Sequence, residues 1–151
     1  MLKKTLTFMT FVVLSTAAVA VQAKTVEIDG LDTLKFSKDS ITVKPGEQVT
    51  IKLVNSSKLP ASAMSHNLVL LVASADAHKI DKAAMKAGKD KDYVPEGMDD
   101  QILAQTGLVA GGESDTITFT APEQTGEYEY ICTFPGHFAA GMKGTLTVKA
   151  E

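Results

Sequence analysis

The sequence predicts an all-β sandwich with one helical insertion, and three observations predict it. Short stretches of strict polar and apolar alternation recur along the chain, Pro and Gly turn signals separate them, and a single alanine- and lysine-rich segment interrupts them. At 151 residues, with 44% hydrophobic and 22% charged residues, the chain has room for one domain and is too short for a two-domain enzyme.

Taken in order, Lys3 and Lys4 precede an apolar run from Leu6 to Ala20, and Val21-Gln22-Ala23 supplies small residues before Lys24. This pattern predicts a secretory signal peptide over residues 1–23 and a mature domain over 24–151. The apolar run falls short of a comfortable membrane span, which favours cleavage over a retained anchor. The first strand lies around Val26-Glu27-Ile28. Ser40-Ile41-Thr42-Val43-Lys44 and Gln48-Val49-Thr50-Ile51-Lys52-Leu53 alternate across the turn Pro45-Gly46-Glu47 and are expected to form a hairpin. His66 shares parity with Leu68, Leu70 and Val72 in a run apolar enough for an interior strand. Ala73 to Gly88, with Ile80 and Met85 and a closing glycine, reads as the helix, and Asp90 to Asp100 as a polar loop. Thr116–Phe119, Tyr128–Ile131 and Thr145–Val148 supply the remaining strands.

The mature chain carries 13 lysines, no arginine and 18 acidic residues, a net charge of −5. That balance argues against nucleic acid and anionic membranes as partners. A single cysteine, Cys132, rules out an internal disulfide, so an exported chain must hide the thiol, dimerise through it or use it.

Strand parity says where the thiol points. Glu127 and Glu129 share one face, and Tyr128, Tyr130 and Cys132 share the other, so Cys132 ends an inward row. Met142 begins the inward row Met142, Gly144, Leu146, Val148. Between these strands lies Cys132-Thr133-Phe134-Pro135-Gly136-His137-Phe138-Ala139-Ala140-Gly141-Met142, which puts a thiolate, an imidazole and a thioether within eleven residues. With His66 from a distant strand these make two histidines, one thiolate and a weak axial methionine, the pattern of an electron-transfer copper site; zinc more often takes a second cysteine or a carboxylate.

These residues resemble the azurin and auracyanin group of the cupredoxins. Met64-Ser65-His66-Asn67 looks like the first-histidine motif of azurins, and Cys132-Thr133-Phe134-Pro135-Gly136-His137 matches their ligand loop. Leu59-Pro60, Asp90-Lys91-Asp92-Tyr93 and Met142-Lys143-Gly144-Thr145-Leu146-Thr147 extend the likeness over essentially the whole mature chain. The resemblance implies a Greek-key β-sandwich of about eight strands with a helical flap. It also implies one type 1 copper, cycling between Cu(I) and Cu(II), on His66, Cys132, His137 and axial Met142. It gives Asn67 the task of tying the His66 strand to the ligand loop, and the Phe134 N–H a hydrogen bond to the Cys132 sulfur. Three departures stand out: four residues separate His137 from Met142, one more than in azurins and closer to auracyanins; the azurin disulfide cannot form; and Ser65 replaces a glycine whose carbonyl approaches copper.

The function implied is that of a monomeric, periplasmic electron carrier rather than an enzyme. Its partners would be transient redox proteins, cytochrome c-type or copper enzymes, docking at an apolar patch around His137. The uncharged rim is expected from Phe134, Pro135, Gly136, Phe138, Ala139 and Ala140, with Leu59, Met64 and Met85 nearby. Copper delivery or buffering in the periplasm is the alternative, and surplus exposed methionines and histidines would favour it. A Cys–His nucleophile needs an exposed thiol, whereas parity buries Cys132. A copper-dependent oxidase or nitrite reductase normally brings additional histidines and domains. His78, on the lysine-rich helix, is expected to be solvated, and the Asp90, Asp92, Asp99 and Asp100 cluster lacks an EF-hand pattern.

Overall fold

A computed structural model describes residues 23–150, so the leader expected over residues 1–23 lies, but for its last residue, outside the described part of the chain. Nine strands and one α-helix make up the domain: β1 Lys24–Leu31, β2 Lys35–Phe36, β3 Ser40–Val43, β4 Gln48–Asn55, β5 Val69–Leu71, α1 Ala77–Ala87, β6 Ile102–Gln105, β7 Ser114–Thr120, β8 Gly126–Ile131 and β9 Lys143–Val148. The strands form two sheets, ordered β2-β1-β4-β7 and β3-β9-β8-β5-β6. Period-2 alternation turns one face of each sheet inward. Val26, Ile28, Val49, Ile51 and Leu53 of the first sheet meet Ile41, Leu70, Tyr128, Tyr130 and Leu146 of the second.

The expected hairpin between β3 and β4 does not form. β3 pairs in parallel with β9, while β4 pairs with β1 and β7, so the Pro45-Gly46-Glu47 turn carries the chain from one sheet to the other. Gly46 takes a φ of +67°, its N–H donates to Ala121 O, and Ala121 N–H returns a bond to Glu47 O. The turn therefore satisfies its backbone against the chain after β7 rather than across a hairpin.

The helix starts later than the sequence pattern suggests. Asp76 accepts from the N–H groups of His78 and Lys79 and caps α1 at Ala77, and Gly88 closes it with a φ of +75°. Ala77, Ile80 and Ala84 form the buried face of the helix, and Ala77 and Ile80 pack with Val69, Leu71, Ile131 and Phe138, so β5 is covered by the opposite sheet on one face and by the helix on the other. This double burial explains why Leu68–Leu71 is continuously apolar.

Parallel pairing of β1 with β4 brings both strand ends, Gly30 and Asn55, to one end of the sandwich in register. β8 ends there as well, and β9 starts there, paired from Ile131 opposite Lys143. The loops that leave this end carry the candidate ligands.

Candidate metal centre

Cys132 continues the inward row of β8 and is fully buried. His66 lies just ahead of β5 and exchanges both backbone hydrogen bonds with Val109, at 3.0 and 2.8 Å, a single bridge that fixes its position before the strand proper begins. His137 follows the turn at Gly136, which takes a φ of +82°, and its N–H donates to Phe134 O at 3.0 Å. The loop closes on itself: Met142 N–H donates to His137 O at 3.0 Å, and Cys132 N–H donates to Met142 O at 3.1 Å. Chain segments that are 66 residues apart in sequence thereby share one buried cluster.

The ligand atoms of His66, Cys132 and His137 lie within 4.8 Å of one another, and all three residues are buried. Cys132 Sγ stands 3.6 Å from His137 Nδ1 and 4.0 Å from His66 Nδ1. Nitrogen and sulfur bonds of about 2.0–2.3 Å, spread at about 120°, separate neighbouring donors by about 3.7 Å. The cluster thus has the size of a trigonal site for one first-row ion. No carboxylate belongs to it, and among the described residues it is the one group of three such side chains. A buried thiol with two imidazoles suits a soft-to-borderline metal, copper before magnesium or calcium. Met142 is fully buried in the same core.

Burial keeps the donors uncharged when they hold no metal. It lowers the pKa of His66 to about 4, helped by the neighbouring His137 and opposed by Asp32. It lowers His137 as well. The Cys132 thiol is pushed up to about 12 by burial, while the backbone N–H groups of Asn67 and Phe134 hydrogen-bond the sulfur and pull the other way. The Phe134 bond is the one the resemblance implies; the Asn67 N–H adds a second.

Asn67 ties three segments together. Its Oδ1 accepts from Thr133 N–H at 2.8 Å, and its Nδ2 donates to Thr133 Oγ1 and to Asp92 O, both at 2.8 Å. The Thr133 hydroxyl passes its own proton to Tyr93 O at 2.7 Å. The loop after α1 is therefore fastened to the ligand loop through the residue next to His66. Two supports went unread in the sequence. Asn55 Nδ2 donates to Met64 O and Val109 O, both at 3.0 Å, which braces the chain leading into His66 and the segment paired with it. Gly30 lies under the His66 ring: a Cβ there would come within 2.7 Å of His66 Cγ and closer still to Cδ2. Parity was the available signal, because Gly30 ends the inward row of Val26 and Ile28, and Asn55 that of Val49, Ile51 and Leu53.

The surface above His137 differs from expectation in two residues. Phe134 and Phe138 are each only 7% exposed rather than part of a rim. Phe134 packs on Tyr93 and the His137 ring, and Phe138 sits beneath the helix against His78. Pro135, Gly136, Ala139 and Ala140 do reach solvent, His137 itself is 3% exposed, and Leu59 and Met85 are exposed at 47% and 37%. His78 is exposed, as the lysine-rich helix suggests.

Comparison with known proteins gives a consistent likeness. Residues 22–149 match the family of copper binding proteins described as the plastocyanin/azurin family. An azurin of Bordetella pertussis is 38% identical over 149 residues, covering 97% of each chain, and an azurin of Alcaligenes faecalis is 41% identical over 124 residues, covering 80% of this chain and 94% of its own. Among solved structures, auracyanin A, a "blue" copper protein of Chloroflexus aurantiacus, superimposes with a TM-score of 0.76 at 37% identity, covering 85% of this chain and all of the other.

Proposed function

Because the chain belongs to the plastocyanin/azurin family of copper-binding proteins, we propose that it is an exported one-electron carrier. In this reading His66, Cys132 and His137 would hold a single copper, with Met142 as a fourth and weaker donor. The observation that carries the proposal is the convergence of two imidazoles and one thiol, without a carboxylate, inside an apolar core. Copper bound by such a set supplies a one-electron couple, Cu(I)/Cu(II), and the protein supplies everything else.

The chain's own part is to keep its donors still while the charge between them changes. Asn67 and Thr133 lock the His66 segment to the ligand loop. The Asn67 and Phe134 N–H groups bond the Cys132 sulfur and share its negative charge. Pro135, which has no N–H, adds no further donor there. Complete burial of His66, Cys132 and Met142 keeps water from the donor atoms. His137 is the one donor with a sliver of exposure, which makes it the route for the electron. The uncharged Pro135, Gly136, Ala139 and Ala140 around it suit brief contact with a redox protein such as a cytochrome c or a copper enzyme. This bracing also favours retaining copper over delivering it. Export to the periplasm, by way of the leader read over residues 1–23, belongs to the same proposal, as does a monomeric carrier.

Addition of Cu(II) to the purified metal-free protein is expected to give an intense blue thiolate-to-copper absorption and a narrow copper hyperfine splitting. Cys132→Ser is expected to abolish both. Colourless binding by the wild type, or colour that survives in Cys132→Ser, overturns the assignment.

A further inference from the structure

We propose that Lys35 is a positioning residue of the copper site, a cationic clasp on the segment that presents Met142. The inference rests on the copper reading above. The Lys35 ammonium donates to two consecutive backbone carbonyls, Ala140 O at 3.0 Å and Gly141 O at 2.9 Å. These are the last two of the four residues between His137 and Met142, and the clasp spans more than a hundred positions of sequence. The segment's N–H groups are satisfied from within, Ala140 by Gly136 O, Gly141 by Phe138 O and Met142 by His137 O. Its outward carbonyls have no such internal provision beyond the bond from Lys143 N–H to Gly141 O, and Lys35 supplies it.

Both sides of the contact are built for it. Lys35 follows a three-residue turn between β1 and β2 in which Leu34 takes a φ of +57°, a conformation a side chain of this type rarely adopts. The next residue, Phe36, is buried against Tyr130 with ring centroids 5.4 Å apart, and it anchors the turn so that Lys35 faces the loop. On the loop side, Gly141 takes a φ of +87°, and a Cβ there would stand 2.6 Å from Lys35 Nζ. Glycine thus meets both the backbone conformation and the approach of the amine.

Two consequences follow from the chemistry of an ammonium in this position. Charge-assisted bonds to two carbonyls restrain the loop end that carries Met142. The ammonium is solvent-exposed and therefore screened, but a positive charge held on the carbonyl that precedes Met142 still disfavours the more positive, oxidised state of the metal and so raises the reduction potential.

The test compares the full chain as wild type, Lys35→Met and Lys35→Arg. Amide hydrogen exchange on the metal-free protein reads the restraint, and the reduction potential of the copper-loaded protein reads the charge. Lys35→Met is expected to show severalfold faster exchange at Met142 and a lower potential, while Lys35→Arg stays near wild type in both. Unchanged Met142 exchange in Lys35→Met, or an unchanged potential, overturns the proposal. A wild type that fails to turn blue with Cu(II) overturns the copper reading instead, and the exchange comparison still decides whether Lys35 clasps the loop.

Discussion

His66 carries two opposed demands, burial and the ability to donate to a metal, and its folded pKa of about 4 reflects the first. The imidazole's ordinary value near 6.5 is lowered in the fold, so its contribution to stability is fully present above about pH 6.5 and lost as pH falls toward 4. Acidification of the metal-free protein is therefore expected to lower its stability steadily across that window through His66. Urea titrations at stepped pH check this, and a flat stability between pH 7 and 4 contradicts it. The thiol acts in the opposite range. With Cys132 held up to about 12 and the histidines neutral, metal uptake near neutral pH releases about one proton, so copper affinity is expected to fall roughly tenfold per unit decrease in pH. Gly30 belongs to the same scale. Gly30→Ala pushes a methyl group into the His66 ring, and a loss of about 1–3 kcal/mol in unfolding free energy, with weaker copper binding, is expected.

At the scale of elements, the site is a set of loop ends fastened by two asparagines. Asn55→Ala removes the donor to Met64 O and Val109 O, of which Val109 O keeps the His66 N–H, and the acceptor of the Ser57 N–H; a loss of about 1–3 kcal/mol is expected, read by thermal unfolding. This is also the scale at which the sequence was most and least legible. Parity placed Cys132 and Met142 inward, and the strands around Val26, Thr116, Tyr128 and Thr145 lie where alternation puts them. Alternation says which face of a strand is buried but not which sheet it joins, which is why β3 and β4 read as a hairpin although they belong to different sheets. The helix start was blurred for a related reason. Ala73–Ala75 are compatible with a helix, and only the cap at Asp76 decides where it begins. Phe134 and Phe138 were misplaced because loop residues have no periodicity from which burial can be read.

For the whole molecule, the two-sheet sandwich acts as a rigid mount with its chemistry at one end. Gly30, Asn55, Cys132 and Met142 all lie where strands of both sheets begin or end, so the donors are held by the packing of the entire core. The exposed, uncharged part of the ligand loop then governs partner contact separately from the metal's environment. Ala139→Glu is expected to slow electron self-exchange between two copies severalfold at low salt, because like charges then face each other across the patch, while leaving the blue absorption unchanged. The most direct measurement of the carrier function pairs two rates on the copper-loaded protein: electron exchange with a haem protein, and transfer of copper to a high-affinity chelating acceptor. Fast electron exchange with negligible copper transfer is the expected result. Slow exchange accompanied by ready loss of copper contradicts the carrier and identifies a protein that delivers the metal.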